Sequence, residues 1–314
     1  MIRATPKKLR AIVLAVASLL LLSACSRPAT SAADLFSIKA TDAEEISISP
    51  TDLPVHKRVV ALANGAAEII LAMGMKSVLV GRDIASSVPT LQVVPIVTSG
   101  HQVIPEKIIS LQPDLVIIDA STGPLSALTV LRNSKINVQE IKEAWNLADI
   151  REKVAAIGMA LGTPKSAGLL NAKIAQSIVA SQLTTQSAPR VAFLYLRGTS
   201  SIYLMGGPGS GADSLLAAIG ARDVGAQTLP HPFNSLTSEA LVNSKPDVFL
   251  VMIKGLDSVG GVKGLLSLPG IAQTPAGVHR RIIAVDDSLL LSFGPRTPAL
   301  IAALSKDLVL VMKK

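Results

Sequence analysis

Short β-branched apolar runs alternate with stretches of helical period along most of the chain. Residues 58–62 (Arg58-Val59-Val60-Ala61-Leu62) read as a strand, 65–73 as an amphipathic helix stopped at Gly74, and 77–81 as the next strand. A similar order begins at 190–195, with a helix over 213–219 that ends at Gly220. Strands alternating with helices predict parallel α/β units, and the absence of a polar alternation within the strands predicts sheets covered on both faces. Residues 150–183 keep an apolar helical period, interrupted at Gly162-Thr163-Pro164, and predict a long connecting helix that Pro164 can break. Residues 298–312 predict a terminal helix, with Thr297 as N-cap and Pro298 in its first turn.

One module occurs twice. Glu106 is followed by apolar positions, then Pro113-Asp114 and the run Leu115-Val116-Ile117-Ile118; Glu239 is followed by the same sequence of features, with Pro246-Asp247 and Val248-Phe249-Leu250-Val251. In both copies Pro ends the helix, Asp opens the turn and a buried strand follows. A repeat about 133 residues long means two similarly built lobes rather than a solenoid. The expected organisation is a leader over 1–24, a flexible tether over 25–56, an N-terminal lobe over 57–148, a connecting helix over 149–185 and a C-terminal lobe over 186–314.

The ends and the composition sharpen this picture. Lys7, Lys8 and Arg10 precede a short apolar run, and Leu22-Ser23-Ala24-Cys25 then presents small residues and the only cysteine of the chain. This pattern reads as a signal peptide. It resembles the lipobox of bacterial lipoproteins, which implies acylation of Cys25 and an extracytoplasmic protein held at the cell membrane by lipid. The four basic residues before Cys25 leave with the leader, so the net charge falls from +8 to +4. With 3% aromatic residues and no dense basic run, nucleic-acid binding is not expected.

The lipobox, the two α/β lobes, the helical connector and the paired Glu-Pro-Asp modules together resemble the solute-binding proteins of ABC importers for cobalamin, iron-siderophores and haem. Gly100-His101, the glycine-rich 206–215 stretch and Ser292-Phe293-Gly294-Pro295-Arg296 look closest to the haem-binding branch. The resemblance implies two Rossmann-like lobes with parallel sheets joined by a long connecting α-helix, the class III periplasmic-binding-protein fold. It implies haem as a transported ligand rather than a cofactor, delivered to permease and ATPase subunits. Glu106 and Glu239 match the glutamates that dock such proteins on the permease. The alternative cargo is cobalamin or an iron-siderophore.

The same resemblance nominates the ligand site. Haem needs an apolar slot, an axial donor to iron and cations for its propionates. His101 is the expected axial ligand; His231 is the candidate opposite it, because alignment on Glu239 places Phe233 where some relatives carry a tyrosine. Phe233 is then expected to pack on the porphyrin face. Arg82 and Arg296 are the candidate propionate partners. Asn64 and Met205 are expected to line the cleft.

Enzymatic readings are weaker. The 206–211 stretch lacks the Lys-Ser/Thr of a phosphate loop, having Ala212-Asp213 instead, and Ser210 is not in a nucleophile elbow. Four histidines, His56, His101, His231 and His279, are scattered and have no metal-site spacing.

Overall fold

A computed structural model describes residues 35–100, 102–181 and 188–313. The expected tether extended to residue 56, but its described part belongs to the folded body. Strand β1 (Leu35–Ile38) lies parallel to the strand at Ile282–Val285 at one edge of the second sheet. Further along, Ile48 N donates to Ala72 O at 2.8 Å, and Asp52 accepts from Lys165 N and Ser166 N. The segment contributes backbone pairing, the Asp52 carboxylate and core side chains such as Ile38 and Ala43.

The N-terminal lobe carries a four-stranded sheet of β2 (Val59–Ala61), β3 (Leu79–Arg82), β6 (Leu115–Ile118) and β7 (Val138–Glu140), all parallel, in the order β3-β2-β6-β7. Every residue of β2 and β6 is buried, as the unbroken apolar runs require. Helices α1 (Ala66–Ala72), α2 (Pro105–Ser110) and α3 (Leu125–Asn133) belong to this lobe, as does the small hairpin of β4 (Thr98–Ser99) and β5 (Gln102–Val103).

The expected connecting helix is broken at its Gly162-Thr163-Pro164 stretch into two helices. α4 (Asp149–Leu161) is ended by Gly162 in a left-handed conformation at φ 74°, and Pro164 opens α5 (Pro164–Ser181). α5 doubles back on α4. A Cβ on Gly158 would stand 2.3 Å from the Cβ of Ala167, so glycine is what allows the two helices to touch. With 18 residues, α5 is about 27 Å long.

The C-terminal sheet contains β8 (Arg190–Arg197), β9 (Ile202–Gly206), β10 (Arg222–Asp223), β11 (Phe233–Ser235), β12 (Val248–Met252) and β13 (Ile282–Val285), besides β1. Strands β1, β13, β12 and β8 are parallel, but at the far edge β9 runs antiparallel to both its neighbours, β8 and β11. Its helices are α6 (Ala212–Ala218), α7 (Val224–Thr228), α8 (Ser238–Ser244), α9 (Ile253–Ser258), α10 (Gly261–Ser267), α11 (Pro275–Val278), α12 (Asp287–Leu290) and α13 (Thr297–Val311).

The repeated module has a shared physical role. In the first copy the Asp114 carboxylate accepts from Lys57 N at 2.7 Å and Arg58 N at 3.1 Å, at the entry to β2. In the second, Asp247 accepts from Arg190 N at 2.9 Å, at the entry to β8. Each Pro-Asp turn therefore fixes the start of the neighbouring parallel strand. One continuous core cluster takes in Val59 and Ile69 of the first lobe, Val154 and Leu170 of the connecting helices, and Phe193 and Leu300 of the second. Burial shared across all three parts holds the lobes as one packed body.

Candidate functional site

In open parallel sheets, ligand sites form outside the carboxyl ends of the strands. A cleft of about 880 Å³ lies where the carboxyl ends of the two sheets meet. Its N-terminal wall is built from the turns that leave four strands: Leu62 and Asn64 after β2, Asp83 and Ile84 after β3, Ser121 and Thr122 after β6, Glu143 and Trp145 after β7. Its C-terminal wall comprises Tyr195 and Arg197 of β8, Leu204 of β9, Phe233 of β11, Lys254 after β12, and Asp287 after β13. The volume falls in the range of small-molecule and cofactor sites.

The N-terminal wall is rigid because its turns are bonded to each other. Asp119 accepts from Asn64 N at 2.7 Å, Ser121 Oγ at 2.7 Å and Thr122 Oγ1 at 2.9 Å. Asp83 is buried, which pushes its carboxyl above the ordinary value, against hydrogen bonds from Ser86 Oγ and the amide of Ala85. On the other wall Phe233 is packed edge-on by three rings: Tyr195 at 5.6 Å, Phe193 at 6.4 Å and Trp145 at 6.5 Å between centroids. Trp145 reaches this cluster from the N-terminal lobe, and its indole Nε1 donates to Glu143 at 2.8 Å.

The expected site residues divide sharply. Asn64 and Phe233 line the cleft. Gly100 lines it too, while His101 lies outside the described residues, as do Cys25 and the leader. Arg82 does not reach the cleft. It is buried, and its guanidinium donates to the carbonyls of Leu91, Val94, Asp83 and Ser86, tying down the loop after β3. Arg296 is likewise spent, on a buried ion pair with Glu68 of α1. Met205 points into the core behind the sheet, 1% exposed, while its neighbour Leu204 faces the cleft, as alternation along β9 dictates. His231 is exposed on the loop before β11 and is not part of the cleft wall; its carbonyl accepts from Asn234 Nδ2. Glu106 and Glu239 are both exposed, each in the first turn of its helix, α2 and α8.

The Ser292–Arg296 stretch ties parts of the fold together and does not line the cleft. Asn64 Nδ2 donates to Leu291 O at 3.1 Å and Arg296 to Glu68, both across the boundary between lobes, and Lys153 Nζ of the connecting helix α4 donates to Ser292 O at 2.7 Å. Burial lowers the Lys153 ammonium to about 8, despite the surrounding carboxylates of Asp119, Glu68, Glu143 and Asp83. The glycine-rich loop is also structural. The amides of Gly209 and Gly211 donate to Asp213 at 2.7 and 3.1 Å, so a carboxylate of the chain itself fills the place a bound phosphate would need.

Tyr195, Arg197, Trp145 and Lys254 are the cleft residues that sequence reasoning missed. A signal existed for Arg197: an arginine closing an otherwise apolar strand just before Gly198 marks the carboxyl end where sites form.

Two lobes held by packed helices, with a cleft at facing strand ends, define a substrate-binding protein of an ABC transporter. The chain belongs to the periplasmic binding protein family, which it matches over residues 59–289. Among solved structures it is similar to the periplasmic heme-binding protein RhuT from Roseiflexus sp. RS-1 in apo form: 35% identity, TM-score 0.77, covering 82% of this chain and 99% of that one. It is 25% identical to the uncharacterized ABC transporter substrate-binding lipoprotein YvrC of Bacillus subtilis, over 84% of this chain and 82% of the relative. It is also 25% identical to a cobalamin-binding protein of Halobacterium salinarum, over 83% of this chain and 71% of that protein.

Proposed function

We propose that the chain is the haem-binding component of an ABC importer, carried outside the cytoplasm on a lipid at Cys25 and delivering its cargo for iron uptake. The observation that carries this reading is the cleft. It is large enough for a tetrapyrrole, has apolar surfaces on both walls, and is lined by the edge-to-face aromatic pair Tyr195 and Phe233. A flat macrocycle gains from such a slot by burial and by ring contacts. The similarity to a heme-binding protein at 35% identity supports haem over other tetrapyrroles.

His101 is the proposed axial donor, since Gly100 beside it lines the cleft. His231 is no longer proposed as its counterpart. Glu106 and Glu239 are the proposed permease contacts, because the structure repeats them on matched helix turns in both lobes, where an exposed carboxylate on each lobe reads the spacing between lobes. A second reading, cobalamin, is favoured by the Halobacterium relative.

Visible spectroscopy of the secreted body, residue 27 onward, titrated separately with haemin and with cyanocobalamin, tests the assignment. Saturable sharpening of the Soret band with haemin, altered in His101→Ala, is expected. Tight binding of cyanocobalamin with no haemin binding would overturn it.

A further inference from the structure

We infer that Arg197 and Lys254 form a carboxylate-binding subsite at the C-terminal wall of the cleft, and that this subsite selects acidic macrocycles over neutral, amidated ones. The inference rests on the haem reading above and concerns which groups of the chain recognise the acidic edge of the ligand.

Arg197 closes β8 two residues after Tyr195, so both side chains leave the same face of the strand. Its guanidinium carbon stands 4.6 Å from the centre of the Tyr195 ring, a cation–π contact. Tyr195 in turn packs against Phe233, and Phe233 against Trp145. The result is a row that is cationic at one end and aromatic along the rest. Such a row suits a planar apolar ligand with acid groups at one edge.

The guanidinium is oriented but not consumed. Nη1 donates to Leu196 O at 2.9 Å and Nη2 meets Asp287 Oδ1 at 3.3 Å. Arginine has five N–H donors, so most remain for a ligand in the cleft. The other oxygen of Asp287 accepts from the backbone amide of Lys254 at 3.0 Å, which sets that residue beside the same carboxylate. The Lys254 side chain lines the cleft, is exposed, and has no ion-pair partner among the described residues.

Two cations against one carboxylate leave the C-terminal wall with a positive excess. The acidic cleft residues Asp83 and Glu143 belong to the opposite wall. A ligand carboxylate is therefore drawn to Arg197 and Lys254. The arginine offers paired donors matched to a carboxylate, and the lysine a point charge. A macrocycle whose side chains are amides gains neither.

The test titrates wild-type, Arg197→Gln and Lys254→Gln proteins with haemin, metal-free protoporphyrin IX and haemin dimethyl ester. Esterification removes the acid groups and keeps the ring; removal of iron keeps the acids and abolishes axial ligation. The subsite predicts that each variant binds haemin and protoporphyrin IX about tenfold or more weakly than wild type, with ester binding unchanged. It also predicts that wild type prefers the diacid to the ester. Lys254→Gln alters an exposed side chain, so its result stands even where Arg197→Gln fails to fold. If wild type binds the diacid and ester alike, or if the variants keep diacid affinity, the subsite is overturned while the haem reading stands. If wild type binds none of the three compounds, both are overturned.

Discussion

Arg296 meets Glu68 through two hydrogen bonds, Nε to Oε2 at 3.0 Å and Nη2 to Oε1 at 2.5 Å, with the two side chains only 1% and 2% exposed. The arginine precedes α13 of one lobe and the glutamate lies in α1 of the other. Breaking such a pair from one side leaves an uncompensated buried charge, a cost of about 3–5 kcal/mol. Glu68→Ala is expected to lose that much in urea unfolding. A Glu68→Leu/Arg296→Met double variant is expected to lose less, because it leaves no charge behind.

Glu45 lies close to the same pair, and its position gives stability a pH dependence. Burial, reinforced by the charge of Glu68 and opposed by Arg296, raises its carboxyl from 4.5 to about 7. Between those values the folded chain keeps a proton that the unfolded chain has lost. Its contribution is therefore fully present below pH 4.5 and is lost as pH rises through about 7. Unfolding free energies of Glu45→Gln and wild type, compared from pH 4 to 8, are expected to diverge in favour of the variant across that window and run parallel above it.

The close contact of α4 and α5 makes Gly158 sensitive. A methyl group there would stand 2.3 Å from Ala167 Cβ, far inside contact distance. Gly158→Ala is expected to lower stability by about 1–3 kcal/mol, and Ala167→Gly in the same chain to restore part of it. Thermal unfolding of the single and double variants checks this.

Trp145 is the only tryptophan of the chain and lies 6.5 Å from Phe233 across the cleft. Its emission is expected to be quenched by haemin in a saturable way, with the same midpoint as the Soret titration. Phe233→Ala is expected to shift the emission maximum of the free protein and to weaken haemin binding by about 0.5–1.5 kcal/mol beyond the area lost.

The two-lobed architecture was legible because its signals are local and repeated. Pro113-Asp114 and Pro246-Asp247 end helices and open buried strands within a few residues, and the structure shows each aspartate fixing the next strand's entry. The site was legible only where backbone position decides it, as with Asn64 after β2 and Phe233 of β11. Arg82 and Arg296 were misread because nothing in a linear sequence distinguishes an arginine that meets a ligand from one that satisfies carbonyls or a buried glutamate. Tyr195 and Arg197 were hidden in a run that reads as a buried strand, and only the register of β8 against β9 and β12 brings their side chains to the cleft. The antiparallel edge and the inclusion of β1 depend on contacts between distant segments, which no local pattern carries.

The central claim is that the macrocycle sits between the walls formed by Asn64 and Phe233. The most direct measurement is the anomalous scattering of iron from a crystal of the haemin complex. A single iron peak within the cleft, beside the loop that contains Gly100, is the result this account predicts. A peak on the outer surface of either lobe, with the cleft holding solvent, would contradict it.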